Sequence, residues 1–206
     1  VPTRTLRAAV AAALTGAGLL AAAPAAHADG APASCTPKAA SAHPFAAWDD
    51  SGLYTLVDGG DMESGLGGWT ATGSANVVEG NEPFRVGGGS DHLALALGPG
   101  DSVISAPICI DDSYPWFRFF ARNTSGRKGK LKVDVLYAGA GGKLRQAGTG
   151  DYATGESDWR PTGSLDISID FADVAGGALP VALRFTAQPE SSFELDDVYV
   201  DPMARG

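Results

Sequence analysis

From Leu53 onward the apolar residues of this chain recur at every second position. Leu131, Val133, Val135 and Tyr137 fall on one side of a run whose other side carries Lys130, Lys132 and Asp134. Val181, Leu183 and Phe185 alternate in the same way with Ala182, Arg184 and Thr186. A period of two sends successive side chains to opposite faces, so each run predicts a strand with one buried face. The pattern predicts strands over 53–57, 76–79, 92–97, 102–108, 116–122, 130–137, 143–146, 164–169, 181–187 and 193–200. Gly-rich punctuation separates them; Ala140-Gly141-Gly142 reads as a hairpin turn, and Asp170 to Gly176 has room for one helical turn. Ten short strands with no internal repeat predict an all-β fold, a jelly-roll β-sandwich over residues 53–203.

The first residues follow a different rule. Arg4 and Arg7 precede an apolar stretch from Ala8 to Ala22, Pro24 breaks it, and Ala26-His27-Ala28 supplies small residues at a cleavage site. That order is the pattern of an export signal over residues 1–28, too short to span a bilayer, and it predicts a secreted, extracellular protein. Residues 29–52 are rich in Ala and Pro and read as an extended leader. In an oxidising compartment the only two cysteines, Cys35 and Cys109, read as one disulfide stapling the leader to the sandwich. A lipid on Cys35 is the competing reading.

Charge narrows the partners. A net charge of −9 repels phosphate, which argues against nucleic acid, and no later apolar run approaches the length of a membrane span. An acidic surface of this kind favours a soluble monomer and is able to hold calcium.

Three stretches carry a resemblance. The run from Asp58 to Trp69, Asp-Gly-Gly-Asp-Met-Glu-Ser-Gly-Leu-Gly-Gly-Trp, resembles the opening of family 4/9 carbohydrate-binding modules, with Asp58 in place of Asn and Met62 in place of Phe. Phe193-Glu194-Leu195-Asp196-Asp197-Val198-Tyr199-Val200 resembles their last strand, and Gly87-Gly88-Gly89-Ser90 ahead of Leu93 and Leu95 is similar to their Gly-rich approach to an inner strand. The chain also resembles secreted actinobacterial proteins that carry the Arg118–Asn123 run, Arg-Phe-Phe-Ala-Arg-Asn. The first resemblance implies a galactose-binding-like jelly roll with a structural calcium joining the first strand to the last. Its ligands by matching position are Glu63, with Asp61 beside it, and Asp196 or Asp197. Strict alternation puts Asp197 on the face of Leu195 and Tyr199, where a lone carboxylate is costly unless a cation or donor meets it. Pairing of the two aspartates with Arg118, Arg122 or Arg184 is the alternative.

The same resemblance implies a polysaccharide or cell-surface glycan as ligand. Sugar binding needs aromatic faces beside planar polar groups. On 116–122, Phe117 and Phe119 suit the core, leaving Trp116, Arg118 and Phe120 on the other face; Tyr152 and Trp159 lie in a polar stretch able to rim a cleft. Trp69 and Trp116 are residues of a kind that a sandwich uses more often for core or edge packing than as ligand platforms. Catalytic patterns fail. There is no His-Glu-x-x-His, Trp159 breaks the nucleophile elbow after Gly155-Glu156-Ser157, and Leu144 follows Gly142-Lys143 where a phosphate-binding loop needs Ser or Thr. The expectation is a non-catalytic binding module. A cell-envelope or protein-interaction domain of the same fold is the first alternative, and a polysaccharide hydrolase with an unrecognised acid pair the second.

Overall fold

The computed structural model describes residues 35–139, 144–153, 156–171, 174 and 176–205. The expected export signal, the hairpin turn at Ala140-Gly141-Gly142 and part of the turn expected over 170–176 lie outside them. The strands are β1 (Gly52–Leu56), β2 (Thr70–Thr72), β3 (Asn76–Glu79), β4 (Leu93–Leu97), β5 (Ser102–Ile104), β6 (Ile108–Asp111) and β7 (Trp116–Asn123). They continue as β8 (Leu131–Ala138), β9 (Leu144–Ala153), β10 (Arg160–Pro161), β11 (Leu165–Asp166), β12 (Ala178–Ala187) and β13 (Phe193–Arg205). One sheet orders its strands β10-β7-β13-β4-β3, with β1 also on β13 and β11 also on β7; the other runs β2-β5-β12-β8-β9, with β6 also on β12. Neighbours pair antiparallel, and the two sheets make the expected jelly-roll sandwich. Among the described residues no helix is long and apolar enough to cross a membrane.

The core is built from the faces that the alternation marked. Phe117 and Phe119 of β7, Leu131, Val133 and Val135 of β8, and Val181, Leu183 and Phe185 of β12 belong to one buried cluster. Phe185 stacks on Trp69 at 6.0 Å and meets Phe119 edge-on at 5.2 Å, so Trp69 is a core residue, as a sandwich tryptophan often is. Three differences from the expected elements have local causes. The single strand expected over 102–108 is two, because the chain leaves β5 after Ile104 and pairs with β12 again from Ile108. Tyr152 stands in β9 opposite Lys132, in the sheet away from Trp159, so the two do not share a loop. Most consequential, β13 carries a bulge between Asp196 and Tyr199, where Asp197 takes φ 52°. The extra residue reverses the alternation, so Val198 joins Leu195 in the core while Tyr199 turns to the outer face. Asp197 is buried as expected, but by a bulge rather than by alternation.

Residues expected as an extended leader are part of the packed structure. Ala42 bridges Tyr54, a 3₁₀ turn spans Ala46–Trp48, and Phe45 lies in a second buried cluster with Tyr54, Ala94, Phe120, Trp159 and Tyr199 on the outer face of the β7–β13 sheet. The Tyr114 hydroxyl donates to the Lys38 carbonyl at 2.6 Å, and Cys35 is bonded to Cys109 on β6. The bridge spans 74 residues of sequence, and a loop of that size contributes about 4 kcal/mol in the chain-entropy account. Replacing both cysteines by serine is expected to cost about 2–4 kcal/mol in urea unfolding. An unchanged midpoint would mean that leader packing alone holds residues 35–50.

Candidate functional site

Three surroundings hold the residues in question. On the outer face of β7, Arg118 and Phe120 do point away from the core, as the alternation requires, but solvent does not reach them. Phe45 stacks on Phe120 at 5.4 Å between ring centroids, and Trp48 and Phe84 meet the same ring at 5.4 and 5.9 Å. Phe120 is fully buried in consequence, and Trp159 is 7% exposed with the Arg122 guanidinium 5.4 Å from its ring. Arg118 lies over the Phe45 ring at 4.0 Å, gives a hydrogen bond to the Thr162 carbonyl and pairs with Asp50 at 2.7 Å. Burial alone would raise the Asp50 carboxyl, but hydrogen bonds from Tyr54 and Gly52 and the Arg118 charge hold it below its ordinary range. Arg118, Phe120 and Trp159 therefore face the chain's own leader and loops. The side of Phe84 is left open, exposed to 42% beside Trp48.

Trp116 differs. It begins β7, is half-buried, and helps to line a pocket of about 440 Å³. Asp49, Asp50 and Ser51 wall it from the leader, Ser164 from the β10–β11 link, and Asp201 from β13 opposite Trp116. Asp49 sits at φ 60°, a left-handed conformation that aspartate tolerates, and this turns the chain from the 3₁₀ turn into β1. Asp201 is 4% exposed; one of its oxygens accepts from the Met203 N–H at 2.7 Å, and no other hydrogen bond reaches it among the described residues. An indole beside carboxylates and hydroxyls is the equipment for stacking on a sugar ring and hydrogen-bonding its hydroxyls.

The third is the carboxylate cluster where the first turn meets the β13 bulge. Gly60 fits there because a Cβ would stand 2.9 Å from the carbonyls of both Val57, which closes the turn on the Gly60 N–H, and Val198, which accepts from the Val57 N–H and ties the turn to the bulge. Asp197 is 1% exposed and neither of its oxygens has a close hydrogen-bond partner, although the Tyr199 side chain is near enough to draw its carboxyl down. Asp91 Oδ2 is buried and unpartnered as well. A Cβ on Gly87 would lie 2.6 Å from Asp91 Oδ2 and 2.9 Å from Asp197 Oδ1, so the glycine leaves room between the two carboxylates. Burial first, then the charges of Glu82, Asp91 and Asp61, raise Asp197 to about 8. Burial and the Asp197 charge push Asp196 up in the same direction.

Two of the other expected metal ligands, Glu63 and Asp196, are engaged. Glu63 Oε1 accepts from the N–H groups of His92 and Leu93 at 2.8 Å each, and Oε2 meets His92 Nδ1 at 2.9 Å, which clips the glycine-rich loop to the start of β4. Asp196 accepts from the N–H groups of Glu82 and Asp197 at 3.2 and 2.9 Å. Among the described residues no group of three or more His, Cys, Asp or Glu side chains is placed to hold a metal ion. The alternative of arginine pairing fails too, because Arg118 holds Asp50, Arg122 holds Glu194 and Arg184 holds Asp134. Sequence reasoning missed Asp91, Glu82, Asp49 and Asp201. For Asp91 a signal existed, an acid directly after Gly87-Gly88-Gly89-Ser90; the others come together only through the fold.

No model of a known protein family matches the chain, and no curated protein sequence matches it. Among solved structures it is similar to a family 61 carbohydrate-binding module in complex with β-1,4-galactotriose, at 18% identity and TM-score 0.42 over 70% of this chain and 96% of that one. It is similar to the family 22 xylan-binding domain of Paenibacillus barcinonensis Xyn10C, at 15% identity and TM-score 0.46 over 76% and 98%. A bacteriophage tailspike's enzymatically active domain is similar at 16% identity and TM-score 0.48, over 71% of this chain and 21% of that one.

Proposed function

We propose that this protein is a secreted, non-catalytic binding module for carbohydrate whose sandwich is closed by a structural calcium. The observation that carries the sugar reading is the Trp116 pocket, the place on the outer face where Trp116, three aspartates and two serines line one cavity. Indole stacking on the apolar face of a sugar ring supplies affinity, and the carboxylates and hydroxyls supply orientation. The calcium reading rests on Asp91 and Asp197, whose unpartnered buried oxygens flank the space that Gly87 leaves open. An ionised carboxylate buried without a donor is costly, and calcium accepts carboxylate and backbone carbonyl oxygens together. Asp61 would complete the charge, while Glu63 and Asp196 position the loop and the bulge.

A second reading, an interaction domain of the same fold without sugar binding, is favoured by the leader's cover over Arg118 and Phe120 and by the open pair Trp48 and Phe84. A glycan array on the full exported chain separates the two. Retention of a glycan, weakened about tenfold or more by Trp116→Ala at unchanged melting temperature, is the expected result. An array that retains nothing would leave the interaction reading in place.

A further inference from the structure

The walls of the Trp116 pocket restrict what enters it in two ways. Along β7 the outer face is closed: the Asp50–Arg118 ion pair and the Phe45 ring beneath Arg118 fill the space between Trp116 and Phe120. A sugar chain crossing the sheet from Trp116 would have to pass through these side chains. The pocket therefore has a mouth but no continuing groove toward Phe120, a shape that suits the end of a chain.

Charge supplies the second restriction. Asp49, Asp50 and Asp201 line the pocket, and no lysine, arginine or histidine is among its walls. Asp50 is neutralised by Arg118. Asp49 is exposed and forms no hydrogen bond or ion pair among the described residues, and Asp201, nine-tenths buried, keeps an oxygen beyond the one that the Met203 N–H occupies. A uronate or sulfated sugar would bring a like charge against these two carboxylates. An ammonium group would meet both while the ring lies on the indole.

We infer that the Trp116 pocket takes the terminal residue of an amino-sugar chain, its ammonium held between Asp49 and Asp201. This inference rests on the sugar-binding reading of the same pocket and adds the chemical class and the mode of recognition. Partial burial strengthens the ion pair relative to an exposed one, and salt weakens what the mouth leaves exposed.

The test is titration of the full chain with glucosamine oligomers of one to six residues, alongside N-acetylglucosamine, glucose and galacturonate oligomers of the same lengths. The expected result is binding of glucosamine oligomers about five- to tenfold tighter than the acetylated series, with affinity flat beyond two residues and galacturonate excluded. Asp201→Asn, which keeps an oxygen for the Met203 N–H, should erase the preference for the free amine while leaving the melting temperature unchanged. Affinity that climbs with each added residue would overturn end recognition. Acetylated or neutral oligomers binding as tightly as glucosamine would overturn the ammonium assignment and leave the pocket a sugar site. Binding of none of the four series at millimolar concentration, with Trp116→Ala equally inert, would remove the sugar reading and this inference together.

Discussion

Replacing Phe45 by alanine is expected to destabilise the protein by about 3–5 kcal/mol, the cost of truncating a fully buried phenylalanine. Phe45 has no exposed surface, stacks on Phe120, meets Tyr54 edge-on at 4.8 Å and Tyr199 at 5.9 Å, and carries the Arg118 guanidinium on its remaining face. Removing the ring opens a cavity over the sheet and withdraws the cation–π partner of Arg118, which is 9% exposed. Loss on that scale lowers the thermal midpoint by roughly 10 °C for a domain of this size. Limited proteolysis supplies the discriminating readout. Phe45→Ala should expose residues 42–50 to cleavage before the sandwich unfolds, whereas Phe117→Ala, which cuts the inner core, should destabilise without releasing the leader first. A midpoint within about 0.5 kcal/mol of wild type would mean that the leader merely rests on the sheet.

That cover explains which parts of the molecule could be read from its sequence. Strand positions follow from local alternation, since a half-buried strand repeats every two residues wherever it lies, and β3, β7, β8 and β12 fall close to their expected places. The outward face of 116–122 was legible for the same reason, but not what lies on it. Phe45 is more than seventy residues from Phe120 in sequence, in a stretch of Ala and Pro with no period, so nothing local announces their stacking. The cysteine pair did announce the leader's attachment, because a chain with two cysteines, read as exported, leaves one partner for each. At the carboxylate cluster, Asp197 was found by its place in an apolar strand, yet its partner was not. The bulge that inverts Val198 and Tyr199 turns Asp197 toward Asp91 and the space left by Gly87, and a bulge leaves no period in the sequence. Glu63 and Asp61 were carried over from a motif. The structure gives Glu63 to two N–H groups and a histidine instead.

Chelation of divalent cations is expected to lower the melting temperature at pH 8, and calcium to restore it. A cation that binds only the folded state adds about 2.7 kcal/mol at a hundredfold excess over its Kd, or roughly 5–10 °C here. The response should depend on pH in a definite direction. Burial and the charges of Glu82, Asp91 and Asp61 raise Asp197 to about 8, so the folded protein without calcium favours the protonated acid. Its contribution is fully present below the usual carboxylate range and is lost as pH rises through about 8, where the unfolded chain ionises freely and the folded one is forced to bury a charge. Calcium reverses the balance by holding the ionised form, and protons compete with it. Its stabilisation should therefore be small near pH 5 and grow steadily toward pH 8. Magnesium should substitute poorly, because it demands a tight octahedron that two carboxylates beside a bulge do not supply. Asp197→Asn separates the metal from the fold, since asparagine tolerates the left-handed φ of 52° at this bulge. The variant should melt in chelator at pH 8 no lower than wild type, having lost the buried charge, and should gain nothing from calcium. Wild-type melting curves that coincide in chelator and in excess calcium at pH 8 would discard the metal and leave Asp197 as a buried acid kept protonated by its surroundings.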